Sequence, residues 1–134
     1  MAVVYYHRVR YHEVDQQGYL FNARYLEIAD VALTEFFRHL GWPYSDLMAF
    51  GVDPSVVSTE VSYRRPVRFD DEIEVAITVT RVGTSSFVLH NNLSRDTDLM
   101  TTITNTYVNV DAKTDTARAL PDAVAEALRS ELIS

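Results

Sequence analysis

The sequence contains no cysteine. Disulfides, thiol nucleophiles and zinc–thiolate centres are therefore excluded by composition alone, and the absence fits a cytoplasmic setting. No apolar run approaches the length of a membrane span, and the N-terminal stretch MAVVYYHRVR lacks the layout of a signal peptide. There is no G-x-S-x-G, and no glycine pattern suits a nucleotide fold, so a nucleophile elbow and a dinucleotide site are both unsupported. Positive charge is scarce. Twelve Lys and Arg stand against nineteen Asp and Glu, a formal net charge of −7, which argues against general nucleic-acid binding. His7 and His12 lie five apart in a stretch with strand alternation, hence on opposite faces, and His39 and His90 have no partner at ligand spacing. No metal site is expected. Internal repeats, linkers and low-complexity segments are also missing.

What remains is the composition of one domain over residues 1–134, 47% hydrophobic and 23% charged, long enough for a single core. Residues 3–12 alternate β-branched and aromatic side chains and predict a strand. From Ala23 to about Leu40 the pattern changes to helical spacing, with Tyr25, Leu26, Ala29, Ala32, Leu33, Phe36, Phe37 and Leu40 recurring at three and four and Ile28 and Val31 widening the stripe. Asn22 is the expected N-cap, and Gly41 followed by Pro43 is the stop. A short helical turn is expected over 45–50. Strands follow at 57–64, 72–82, 86–95 and 99–110, then a polar loop at 111–116. Pro121 opens a short terminal helix with Val124, Ala127, Leu128 and Leu132 on one face. A helix with so broad an apolar surface needs a sheet around it, so the fold class is α+β with a mostly antiparallel sheet of about five strands around one long central helix. An exposed edge strand would be left, and pairing across a dimer is one way to cover it.

The chemistry concentrates where the first strand gives way to the helix, in YHEVDQQGYLFNARYLE, residues 11–27. Asp15 sits at the turn, three residues before Gly18 and close to the helix N-terminus. A carboxylate there is a candidate nucleophile or general base. The unpaired amides near Asn22 and Ala23, at the positive end of the helix dipole, are candidate oxyanion donors. The plain alternative for Asp15 is a turn-former bonding its own backbone. Gly18 permits either a tight turn or close approach of a carbonyl, and Tyr25 either lines a pocket or fills the core. Glu13 reads as a solvated residue at the strand end, and Glu27 and Glu35 as surface. Glu60 lies on a strand face that can look across a dimer. Arg64, Arg65 and Arg68 form a basic cluster, with Arg81 further along, suited either to an exposed loop or to a polyphosphate.

Three blocks, Arg10-Tyr11 with Asp15-x-x-Gly18 and Asn22-Ala23-x-Tyr25, then Tyr63-x-x-Pro66-x-x-x-x-Asp71-x-Ile73-x-Val75, then Gly83-x-Ser85-Ser86-Phe87, occur in order. Over roughly residues 5–123 the chain resembles the hotdog-fold acyl-CoA thioesterases of the 4-hydroxybenzoyl-CoA thioesterase-like family. The resemblance implies a hotdog fold and hydrolysis of an acyl-CoA or acyl-carrier-protein thioester. CoA or phosphopantetheine would enter only as part of the substrate, with no separate cofactor. It implies a homodimer with active sites at the dimer interface, and dimers paired into tetramers. It marks Asp15, Gly18 and Asn22 as catalytic positions. Tyr19, Phe21, Ala23, Tyr25, Glu60, Arg64, Arg65, Ser85 and Ser86 are marked as substrate contacts. Two other readings use the same scaffold: an enoyl-thioester hydratase, which pairs a His with an acid, and a non-catalytic acyl-CoA-binding module. No His stands in residues 15–25, and the chain has no room for the DNA-binding segment that sensor modules usually carry.

Overall fold

The computed structural model describes residues 1–132. Strand β1, Ala2–Arg8, ends four residues earlier than the alternation suggests. Long-range hydrogen bonds pull the chain aside there. Val9 N–H donates to Asp71 O at 2.9 Å, Asp70 N–H returns to Val9 O at 3.0 Å, and a single 3₁₀ turn follows over Tyr11–Glu13.

Helix α1, Arg24–His39, buries Tyr25, Ile28, Ala29, Ala32, Phe36 and Phe37. Leu26 and Val31 stand in solvent, so the buried stripe is narrower than the spacing implies. Asn22 is not the N-cap. That place belongs to Ala23, which already has helical backbone angles and makes no side-chain cap bond. The C-terminus closes as a Schellman motif. Gly41, at φ +99°, donates to Arg38 O, and Trp42 N–H reaches Phe37 O at 2.8 Å.

Helix α2, Tyr44–Ala49, follows Pro43. Then come β2, Pro54–Tyr63, β3, Glu72–Val82, β4, Ser86–Arg95, and β5, Asp98–Asp111. The expected loop after β5 closes onto a two-residue strand, β6, Thr116–Ala117, and helix α3, Asp122–Ser130, starts directly after Pro121. The named strands pair antiparallel, in the order β1-β3-β4-β5-β2 with β6 beside β5, and one isolated parallel bridge joins Val79 to Leu132. The four long strands and β1 match the sheet inferred from the alternation.

One core cluster joins these layers. Period-two residues Ile73, Val75, Ile77 and Val79 of β3 are all buried, as are Phe87, Leu89 and Leu93 of β4 and Met100, Ile103 and Tyr107 of β5. An aromatic column runs through it. Phe37 meets Phe87 edge-on at 5.7 Å, and Phe87 stacks on Tyr107 at 5.1 Å. Val124, Ala125 and Leu128 bring α3 into the same cluster, while Ala127 is only half-buried. Strand β2 lies at the sheet edge with Val56 and Val57 49% and 59% exposed, an apolar edge that no element covers among the described residues.

Candidate active site

Residues 13–21 form a small hairpin that presents Asp15. Its stem is the Val14–Leu20 bridge and the bond from Phe21 N–H to Glu13 O at 3.0 Å. Asp15 N–H donates to Tyr19 O at 2.8 Å, and Gly18 N–H to Asp15 O at 2.9 Å. Gly18 adopts φ +81°, a region that side-chain-bearing residues rarely enter, while the space a Cβ would fill is open. The turn conformation therefore requires glycine here, and crowding does not. The hairpin is tied to the segment before β3 by Leu20 N–H to Val67 O, 2.7 Å, and by the Tyr19–Arg68 bridge, where the guanidinium lies 4.7 Å from the tyrosine ring centroid.

Asp15 does form the expected Asx-type turn, with Oδ1 accepting from Gln17 N–H at 2.8 Å and Tyr19 N–H at 3.2 Å. Its other oxygen, Oδ2, makes no hydrogen bond among the described residues. One carboxylate oxygen is thus spent on geometry and the other is left for chemistry.

Asp15 lines two clefts. The first, about 260 Å³, is bounded by Asp15, Tyr19, Asn22, Tyr25, Arg64 and Arg65 together with Tyr63. Here the fold brings together residues up to fifty positions apart in the chain. The amides of Arg64 and Arg65 both donate to Met100 O, which sets both guanidinium stems at the mouth of the cleft. The N–H groups of Asn22, Ala23 and Tyr25 donate to no acceptor among the described residues, as the opening of a helix allows. The Tyr25 ring meets Tyr63 edge-on at 5.0 Å. The Tyr25 hydroxyl is pushed above the usual phenol range, first by burial. Thr101 and the Val67 backbone oppose that shift, and Tyr63 and Asp15 add to it.

The second cleft, about 490 Å³, lies on the other side of the hairpin and is walled by Tyr11, Val14, Asp15, Gln16, Gly18 and Phe69. Tyr11 and Phe69 meet edge-on at 6.0 Å and are both strongly exposed. A larger cavity, about 540 Å³, is elsewhere, between α1, α2 and the start of β2 around Asp30, Phe37 and Tyr44. Its lining has a single carboxylate, Asp30, and no cation, and the helix that opens beside it at Tyr44 is the six-residue α2, so size and chemistry point to different places. The chemistry decides for Asp15.

Phe21, Ala23, Glu60, Ser85 and Ser86 line neither Asp15 cleft. Phe21 is exposed at the hairpin exit, and Ala23 caps α1. Glu60 stands in solvent on edge strand β2, paired in register with Thr104. Ser85 lies in the β3–β4 turn, where its carbonyl accepts from Asn109 N–H, and Ser86 opens β4. Tyr63, Tyr11 and Phe69 had no assigned role in the sequence. Tyr11, inside the first block, and Tyr63, inside the second, carried a signal, and Phe69 carried none. Glu13 departs from its expected solvated position. Its side chain is 10% exposed and accepts from His7 Nε2 at 2.9 Å. Among the described residues no group of three or more His, Cys, Asp or Glu is placed to hold a metal, and no helix is long and apolar enough to cross a membrane.

Comparison with known proteins bears on the family and the fold. The family model described as the thioesterase-like superfamily matches residues 9–128. The Escherichia coli acyl-CoA thioester hydrolase YbgC is 30% identical over 118 residues, 87% of this chain and 88% of that protein. The crystal structure of a Thermus thermophilus protein superposes with a TM-score of 0.88 at 25% identity, covering 96% of this chain and 98% of that one. A Synechocystis 1,4-dihydroxy-2-naphthoyl-CoA thioesterase shares the fold at a TM-score of 0.82 and 15% identity, over 95% of each chain. The chain belongs to the thioesterase-like superfamily, and it is a hotdog-fold thioesterase.

Proposed function

We propose that the chain hydrolyses acyl-CoA thioesters, with Asp15 as the general base for the attacking water. The observation that carries this reading is a single carboxylate at the shared wall of two clefts of opposite character. A thioester has two arms. The first cleft, with Arg64 and Arg65 at its mouth, suits the phosphate-bearing carrier arm. The second, with Tyr11, Val14 and Phe69, suits an apolar or aromatic acyl group. The thioester carbonyl then lies beside Asp15, its oxygen directed to the free amides of Asn22, Ala23 and Tyr25.

In this scheme Oδ2 of Asp15 takes a proton from water, and the hydroxide adds to the carbonyl carbon. The oxyanion is held by the amides until the C–S bond breaks, and the departing thiolate takes the proton back from Asp15. Hydrolysis in ¹⁸O-water, one turnover per enzyme, tests the role of Asp15. Label should appear only in the released acid. Label found in the Asp15 carboxylate would replace the base by a nucleophile. A hydratase is disfavoured because no histidine lines either cleft.

The carrier arm gives a second expectation. Replacing Arg64 and Arg65 together by alanine should raise KM for an acyl-CoA about tenfold, the equivalent of about 1.4 kcal/mol of charge-assisted contact. KM for the matching N-acetylcysteamine thioester, which has no phosphates, should not change. An equal effect on both substrates would remove the phosphate role.

In this reading α1 is the helix the sheet encloses, and the bare edge of β2 pairs with its copy in a second chain. Sedimentation should then give a dimer for the wild type, and lysines at Val56 and Val57 should shift it toward monomer by placing like charges across the edge. A wild-type monomer at micromolar concentration would contradict the pairing.

A further inference from the structure

Glu13 is buried, charged and two residues from Asp15, yet the hydrolysis step above gives it nothing to do. Its Oε1 accepts two hydrogen bonds, from Arg10 N–H at 2.7 Å and from His7 Nε2 at 2.9 Å. The other ring nitrogen of His7, Nδ1, lies 2.9 Å from the Tyr5 hydroxyl. This network assigns the proton to Nε2, with Tyr5 O–H donating to Nδ1, so every polar atom of the imidazole is satisfied. His7 is itself fixed in the sheet, opposite Ile73 in the β1–β3 register, and its side chain is 7% exposed. The backbone of Glu13 forms the base of the Asp15 hairpin, since Glu13 O accepts Phe21 N–H. Phe21 O in turn accepts Arg24 N–H at the opening of α1. Burial by itself would raise the Glu13 carboxyl, but the Arg10 amide, the His7 hydrogen bond and the Arg10 charge bring it below the ordinary value. A carboxylate held this way is a rigid anchor.

We propose that Glu13, clamped by His7, is a positioning residue that fixes the Asp15 hairpin against the sheet and so sets the distance between the Asp15 carboxylate and the free amides of α1. This rests on the reading of Asp15 as the attacking base. The line of force is short: β1 holds His7, His7 holds the Glu13 side chain, and the Glu13 backbone holds the hairpin stem. Displacement of a reacting group by about 1 Å costs on the order of a hundredfold in rate, so a loosened stem should appear in kcat. KM depends on the arginines, which the clamp does not touch, and on the aromatic wall, of which the clamp reaches Tyr11 alone, in the turn that the Glu13 side chain closes.

The test is a set of variants assayed well below their thermal transitions. Glu13→Ala should lower kcat about 10- to 100-fold with KM within about twofold. Glu13→Gln keeps an Oε1 for both donors and should stay within about threefold of wild type. His7→Phe removes the donor from the other side and should lower kcat in the same direction as Glu13→Ala, which keeps the test open if one variant folds poorly. In an Asp15→Asn background, Glu13→Ala should cause no further loss, because Glu13 acts only through Asp15. Wild-type kcat in Glu13→Ala and His7→Phe, a Glu13→Gln loss as large as that of Glu13→Ala, or an added loss in the Asp15→Asn background would overturn the proposal. The two readings separate cleanly. Inactive Asp15→Asn beside fully active Glu13→Ala removes only the clamp, whereas fully active Asp15→Asn removes both.

Discussion

Asp15→Asn should lower kcat for acyl-CoA hydrolysis by about 10²- to 10⁴-fold, with the melting temperature nearly unchanged. The substitution isolates chemistry because the two oxygens of Asp15 have separate duties. Oδ1 accepts from Gln17 and Tyr19 N–H, and an asparagine carbonyl can accept from the same two donors, so the turn closed by Gly18 survives. What disappears is the charge and basicity of Oδ2, which has no partner among the described residues. KM should move little, since neither Arg64, Arg65, Tyr11 nor Phe69 is disturbed. Thiol release with a chromogenic reagent, run beside thermal denaturation, checks both halves. A turnover within threefold of wild type would mean that another group delivers the attack.

Phe87→Ala should cost about 3–5 kcal/mol of stability, among the largest losses any single truncation can cause here. Phe87 is fully buried at the crossing of the aromatic column, edge-on to Phe37 of α1 and stacked on Tyr107 of β5. Truncation removes the transfer free energy of the ring, opens a cavity that the flanking strands are too constrained to fill, and breaks two aromatic contacts worth about 0.5–1.5 kcal/mol each. Because α1 also opens the Asp15 cleft, the melting temperature should fall by roughly 10–20 °C, at a few degrees per kcal/mol for a chain of this size. Thermal unfolding followed by circular dichroism gives the value. A shift below 3 °C would mean that α1 is not held to the sheet through this column.

Local pattern carried most of the architecture. The three-and-four spacing from Tyr25 to Phe37 and the alternation of Ile73, Val75, Ile77 and Val79 are each written within one element, so propensity and burial agree there. The sequence was misleading where distant groups intervene. β1 stops at Arg8 because Val9 exchanges hydrogen bonds with Asp70 and Asp71, more than sixty residues away. Asn22 loses the cap because the turn after the hairpin has already put Ala23 into helical angles. Glu13 looked solvated because its partner, His7, lies across a change of chain direction that alternation does not encode.

The site divides the same way. Asp15 and the helix start are neighbours in sequence and could be paired on sight. Arg64 and Arg65 were visible as a basic cluster, but only the antiparallel β2–β5 register and the Met100 carbonyl place them at the same cleft. The Tyr11–Phe69 wall joins residues fifty-eight positions apart, and although Tyr11 stands in the first block, nothing local pairs it with Phe69. Ser85, Ser86 and Glu60, drawn in by resemblance, lie on the β3–β4 turn, at the start of β4 and on the β2 edge, outside both clefts.

The central claim concerns where one carbonyl sits, and a crystal structure of Asp15→Asn soaked with an acyl-CoA that it turns over only slowly tests it most directly. The account predicts the thioester carbonyl carbon beside residue 15, its oxygen within about 3 Å of the amides that open α1, the phosphates near Arg64 and Arg65, and the acyl group against Tyr11 and Phe69. A thioester bound instead in the larger cavity by Asp30 and Tyr44, away from residue 15, would contradict it.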